Sequence, residues 1–231
     1  MKREVIITAD GSSTIHLPDW DEQYHSKHGA IQEAYHVFIK HGLHYYCDLV
    51  RDKDSQNISI LEIGFGTGLN AFITLLEAEK IDVNISYFGV EAYPVLIDEI
   101  KQLNYSDELY AEDKALFFDE IHELTWGSQN IVTPHFSLTK QKRFFSDIEE
   151  LETYNIIYFD AFGARVQPEL WTEKIFQKMF DALKDNGVLV TYSAKGSVRR
   201  AMQAVGFKVD RLPGPPGKRE MLRATKKLKT S

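Results

Sequence analysis

Gly64, Gly66 and Gly68 lie within five residues of one another, directly after the apolar run Ile58–Ile63. Without a Cβ, such a turn bends sharply and lets its backbone come close to a ligand. Glu91 closes the next apolar run, Ile85–Val90. An acid at the end of that second strand can accept hydrogen bonds from both hydroxyls of a ribose. Asp160 follows a third run, Ile156–Phe159. There it either caps the segment that follows or serves an amine, because an alkylammonium has no lone pair until a base takes its proton. A glycine turn, a ribose acid and a proton acceptor together describe an adenosine-type cofactor beside a nucleophile.

The spacing narrows the cofactor. A dinucleotide fingerprint needs a third glycine where this chain has Leu69, so the turn is G-x-G-x-G rather than G-x-G-x-x-G. No lysine-containing phosphate loop is present between Gly64 and Asn70. Both points favour a ligand without a diphosphate, S-adenosylmethionine (SAM). The competing readings are a ligand-free strand-to-helix turn and a redox or non-catalytic dinucleotide-binding module.

The elements that must hold these residues alternate along the chain. Glu4–Thr8 and Ser13–Leu17 read as a hairpin, and Ala30–Phe38 and Leu43–Val50 as helices. Strand Ile58–Ile63 leads into a helix over Ala71–Glu79, then strand Ile85–Val90 and a helix from Pro94 to Leu103. Asp107–Glu123 reads as helix, Phe136–Phe144 as strand and Asp147–Leu151 as a short helix or turn. After strand Ile156–Phe159 come an amphipathic helix over Pro168–Leu183, strand Gly187–Ser193, helix Ser197–Val205, and final strands Phe207–Leu212 and Glu220–Ala224. This order predicts an α/β fold with a mostly parallel sheet and a closing antiparallel hairpin. In such sheets ligands bind at the carboxyl ends of the strands. The glycine turn, Glu91-Ala92-Tyr93 and Asp160-Ala161-Phe162-Gly163 should all be found there.

A length of 231 residues suits one such domain with a small appendage. No run reaches the roughly 18 apolar residues of a membrane helix, and MKREVIITADG lacks a signal-peptide core. The single cysteine, Cys47, excludes an internal disulfide and a multi-cysteine metal site. Eight histidines include the near-helical set His36, His41 and His44, but without a ligand motif surface and packing roles are expected and no metal. These points fit a cytoplasmic protein.

The formal net charge of −7 hides an asymmetry: Lys195–Ser231 carries eleven Lys and Arg against two acids. Such a segment suits a polyanion, with phosphate contacts supplying affinity and salt dependence rather than sequence discrimination. The terminal KKLKTS reads as an ordinary solvated tail. Arg199, Arg200, Lys218 and Arg219 fall within patterned sequence and are the candidate contacts. Tyr93 or Phe162, near the mouth of the site, could stack a splayed base.

The strings LEIGFGTGLNAF, YFGVEAYP, IIYFDAFGARVQPELWT, VTYSAKGSVRRAMQAVGF and GKREML resemble the tRNA 5-aminomethyl(-2-thio)uridine methyltransferases. These occur as free-standing MnmD or as the N-terminal half of bifunctional MnmC. The resemblance begins at DEQYHSKHGAIQEAYHVFI and covers nearly the whole chain. It implies a class I SAM-dependent methyltransferase fold (Rossmann-like) with a mostly parallel seven-stranded sheet. Residues 1–55 would form an N-terminal extension packed on a catalytic domain over 56–231. It also implies methyl transfer to the primary amine of 5-aminomethyl(-2-thio)uridine at tRNA position 34. Glu62, Gly64, Gly66, Gly68, Asn70, Glu91 and Ala92 would hold SAM, with Tyr24 and Glu33 closing over it. Asp160 would be catalytic. Phe162, Ser193, Lys195, Arg199, Arg200, Lys218 and Arg219, together with Tyr192, would meet the tRNA. No FAD-binding half follows Ser231, so a separate enzyme is expected to supply the aminomethyl precursor. The alternative is a class I methyltransferase acting on a small amine or another RNA. One departure concerns adenine: SLTKQKRFFSD lacks the acid often found after the third strand, near Gln141 or Lys142.

Overall fold

The computed structural model describes residues 2–50 and 57–227. The boundary expected at 55/56 and the end of the KKLKTS tail lie outside the described residues. A small antiparallel sheet comes first, made of β1 (Glu4–Ile7), β2 (Ser13–Leu17) and β3 (Glu22–Gln23). An uninterrupted helical run follows: α1 (Ala30–Ala34), a π-helical stretch Tyr35–His44, and α2 (Tyr45–Leu49). The helix break expected near Gly42 does not occur. Gly42 instead lets the run press onto the main sheet, where a Cβ would stand 3.1 Å from Tyr158 and Val190 side-chain atoms.

The main sheet has eight strands, β4 (Asn57–Ile63), β5 (Asn84–Val90), β6 (Gln129–Thr133), β7 (Phe136–Gln141), β8 (Tyr154–Phe159), β9 (Leu183–Thr191), β10 (Lys208–Pro213) and β11 (Glu220–Thr225). Their order is β10-β11-β9-β8-β4-β5-β7-β6. β9, β8, β4, β5 and β7 are parallel, and β6, β10 and β11 pair antiparallel with their neighbours. The sheet is therefore one strand larger than the seven expected. The extra strand, β6, lies on an edge and buries only Val132 and Thr133, so it carries no clear apolar alternation.

The helices are α3 (Leu69–Ile81), α4 (Ile97–Ile100), α5 (Tyr105–Glu108), α6 (Ala115–Glu123), α7 (Glu173–Ala182) and α8 (Gly196–Ala204). The helix predicted over Pro94–Leu103 shrinks to α4. Asp107–Glu123 is broken where Tyr110 adopts a φ of 53° and a 3-10 turn intervenes at Glu112–Lys114. Pro168–Trp171 is a 3-10 turn rather than the start of a long helix, and β9 begins directly after α7.

The central strands are apolar on both faces, as parallel strands covered on both sides must be. Ile60, Ile156 and Tyr158 pack beneath Phe38 and Phe72, whereas Leu61, Ile157 and Phe159 pack against Trp171 and Phe176. The chain runs outward from β4 through β5 to β7, then returns to β8 on the other side of β4. The strand order thus reverses between β4 and β8, and the crevice opens at their carboxyl ends. The small sheet docks over that edge. Asn104 Oδ1 accepts the Ser13 N–H at 2.7 Å, Arg3 pairs with Glu99 at 2.9 Å, and Arg165 donates to the carbonyls of Trp20 and Asp21 at 3.0 and 2.8 Å.

Candidate active site

Three strand ends are stitched together at the crevice. The N–H groups of Gly64 and Phe65 both donate to Val90 O at 3.0 Å, and Asp160 N–H donates to Ile63 O at 2.9 Å. Gly64 leaves β4 with a φ of 90°, and a Cβ there would stand 2.8 Å from the Asp160 carbonyl oxygen. Gly66, with a φ of 50°, accommodates Tyr24, whose Cδ1 lies 3.0 Å from where its Cβ would be. The angle and the backbone contact exclude other side chains at Gly64, whereas at Gly66 a Cβ would press on the Tyr24 ring.

Acidic groups converge on a cavity of about 1070 Å³. The Glu91 carboxylate accepts the Gly66 N–H at 3.1 Å and the Tyr93 N–H at 2.9 Å, which fixes it at the end of β5. Asn70, in the first turn of α3, bridges two further acids: its Nδ2 donates to Glu62 Oε1 at 2.9 Å and to Asp160 Oδ2 at 2.8 Å. Burial raises the proton affinity of Asp160 to about 7. The Glu33 charge adds to this, and the Asn70 hydrogen bond and Lys218 oppose it. Burial likewise holds Glu62 well above the usual carboxylate range. Asn70 Oδ1 is buried without a protein hydrogen-bond partner, while the Glu62 carboxyl interacts with the Tyr87 hydroxyl. Buried acceptors normally find a donor. The open acceptor on Asn70 beside the glycine turn fits the α-ammonium of a methionyl group, as Glu91 fits a ribose.

The opposite wall is aromatic. Phe162 meets the Trp20 ring edge-on at 5.8 Å and the Tyr24 ring at 5.0 Å. Its backbone is pinned, because Trp171 Nε1–H donates to Phe162 O and the Tyr192 hydroxyl to Ala161 O, each at 2.8 Å. Burial pushes the Tyr24 hydroxyl up to about 12, so the phenol is neutral at working pH.

Of the residues expected at the site, Tyr24, Glu33, Glu62, Gly64, Gly66, Asn70, Glu91, Ala92, Asp160, Phe162 and Lys218 border the cavity, as does Tyr192. Gly68 stands back as the N-cap of α3. Ser193 is buried, with its N–H on Thr191 Oγ1. Lys195, Arg199, Arg200 and Arg219 lie beyond the cavity lining, the first three at and within α8. Lys218, expected as a surface phosphate contact, points inward and pairs with Glu33. Arg3 and Trp20 also border the cavity and were not expected there. They arrive through the docking of the small sheet, which leaves no local pattern in the sequence. After β7, Arg143 turns away to Gln141 and Glu150, and Phe144, Phe145 and Ser146 reach the cavity in place of an adenine-binding acid. His25, near the cavity, is buried against Tyr105 and kept neutral, its imidazole lowered to about 4 by burial.

The sheet order, the glycine turn and the strand-end acids match the class I SAM-dependent methyltransferase fold. A family described as S-adenosyl-L-methionine-dependent methyltransferases matches residues 132–227. The chain is similar to the tRNA 5-methylaminomethyl-2-thiouridine biosynthesis bifunctional protein MnmC of Leptospira interrogans, 32% identical over an alignment of 216 residues, covering 88% of this chain and 32% of that protein. It is 26% identical over 211 residues to the protein of the same name from Hydrogenovibrio crunogenus, covering 87% of this chain and 31% of that one. The chain thus spans about a third of the length of the curated relatives it matches. Among solved structures it is similar to MnmC2 from Aquifex aeolicus, with a TM-score of 0.75 and 25% identity, covering 98% of this chain and 70% of that one.

Proposed function

We propose that this chain methylates the primary amine of 5-aminomethyl(-2-thio)uridine at tRNA position 34, giving the 5-methylaminomethyl product. The observation that carries this reading is Asp160, a carboxylate with a proton affinity near 7 in the same cavity as the glycine turn and Glu91. The similarity to MnmC proteins supports a wobble uridine as the carrier of the amine. SAM, when bound, supplies a methyl group on a sulfonium. Glu91 would accept hydrogen bonds from the ribose hydroxyls, and Asn70, beside Glu62, would receive the methionyl ammonium at its unpartnered oxygen. Asp160 takes a proton from the aminomethyl ammonium and exposes the nitrogen lone pair. Its affinity near 7 lets it accept that proton at neutral pH and give it up again. The aromatic wall around Phe162 excludes water and presents a face for a splayed base.

Arg199, Arg200 and Arg219 would hold the anticodon-loop phosphates outside the cavity. The N-terminal extension acts in this reading to close the site. No helix among the described residues is long and apolar enough to cross a membrane, and the reading places the work in the cytoplasm. The test is mass spectrometry of wobble nucleosides. tRNA from a strain lacking this activity is incubated with the protein and SAM. Conversion of 5-aminomethyl to 5-methylaminomethyl nucleosides is expected; unchanged wobble nucleosides alongside methylation of a free amine would reject the reading.

A further inference from the structure

Lys218 enters the cavity from the β10–β11 loop, 185 residues along the chain from its partner Glu33. Its ammonium contacts the Glu33 carboxylate and lies 3.8 Å from the centroid of the Tyr192 ring. Both contacts are built in place. Glu33 is buried and accepts the Ser26 N–H at 2.9 Å. Tyr192 is fixed by its hydroxyl on Ala161 O, one residue from Asp160. A buried carboxylate and an aromatic face therefore already hold a primary alkylammonium beside the proton acceptor. A primary aminomethyl arm has the same chemistry as the lysine that sits there. The lysine also has a way out: its side chain keeps 31% of its exposure, whereas that of Glu33 keeps 7%. The loop is tied down at its base, where His36 Nε2 meets Pro213 O at 2.8 Å.

We propose that Glu33 and Tyr192 form the seat of the substrate's ammonium, that Lys218 fills this seat in the free protein, and that it moves onto a phosphate of the arriving nucleic acid when the substrate amine displaces it. The proposal rests on the reading that the amine is carried by a nucleic acid. Charge then balances throughout: carboxylate and lysine before binding, carboxylate and substrate ammonium with lysine and phosphate after it. A free small amine brings no phosphate. Two ammonium groups would then compete for one carboxylate, and Lys218 would disfavour such substrates by repulsion. Glu33, assigned from the sequence to the cofactor, moves to the amine side of the site. The Lys218 charge also acts on Asp160, consistent with the short path between the seat and the proton acceptor.

Lys218→Met keeps the length and apolar stem of the side chain and removes the charge. Rates are compared on tRNA bearing 5-aminomethyluridine and on the free 5-aminomethyluridine nucleoside. The nucleoside kcat/KM should rise about fivefold while that of tRNA falls, which narrows the preference for tRNA. Glu33→Gln should raise KM for both substrates. SAM affinity by calorimetry should be unchanged in Lys218→Met; a tenfold loss would make Lys218 a cofactor contact and overturn the proposal. A nucleoside kcat/KM that stays level or falls would make the pair a structural strut. If Lys218→Met melts early, Lys218→Gln is measured on the same two substrates under the same criteria. Ethylammonium binding, followed by intrinsic fluorescence, separates this proposal from the function it rests on. If the wild-type protein leaves tRNA unmethylated, the tRNA reading fails. The seat still stands if ethylammonium binds tighter to Lys218→Met than to wild type, and it falls if binding is equal or weaker.

Discussion

Asp160 holds its proton more tightly in the folded chain than it would when unfolded, because burial outweighs the Asn70 hydrogen bond. A group with a raised folded affinity stabilises the fold below its unfolded pKa, and that contribution is lost as pH rises through about 7. The charged form that the proposed proton transfer requires is therefore the form the fold tolerates least. Asp160→Asn should raise the melting temperature more at pH 8 than at pH 5, measured against wild type. The same change should cut turnover by about a hundredfold or more, the usual scale of proton transfer by a positioned side chain. SAM affinity should survive it, since the amide that replaces the carboxylate still offers an oxygen to Asn70. The wild-type rate should fall as pH drops below about 7. Undiminished turnover in the variant would remove Asp160 from the chemistry.

At the scale of elements, the glycine turn joins β4 to α3 while β8 passes directly against it. Gly64→Ala would require a φ of 90° and place a methyl 2.8 Å from the Asp160 carbonyl. Both the strain and the clash would separate the β4 and β8 ends, at a cost of about 1–3 kcal/mol. Calorimetry should show SAM binding weakened by about tenfold with a lower melting temperature; unchanged affinity would mean that the turn does not set the cofactor's seat. Gly127 makes the contrast. It too has a positive φ, of 85°, but a Cβ there would meet nothing within 4 Å, so only the backbone angle restricts it.

Across the whole molecule, charge is divided. Glu22, Glu33, Glu62, Glu91, Asp160 and Glu169 border the cavity, which would suit a sulfonium cofactor and the proposed ammonium substrate, and Lys218 is the basic residue of the C-terminal segment that reaches it. Replacing Arg199, Arg200 and Arg219 together by Gln should raise KM for tRNA. It should also flatten the dependence of log KM on log salt by about 0.7 to 0.9 per lost phosphate contact. A salt slope equal to wild type would show that these residues meet no phosphate.

The sequence determined which residues stand at the strand ends. Gly64, Gly66, Glu91 and Asp160 are each announced by the apolar run just before them, and strand periodicity and glycine turns are local properties. Leu69, by interrupting the diphosphate pattern, was enough to turn the reading from a dinucleotide toward SAM. The tertiary structure decided what depends on distant segments meeting. It added β6, whose short edge pairing buries too little to pattern its residues. It brought Arg3 and Trp20 to the cavity by docking the small sheet, and put Phe144, Phe145 and Ser146 where an acid was expected. It also turned Lys218 inward onto Glu33. A basic loop residue read along the chain has no direction; only a carboxylate buried 185 residues away supplied one.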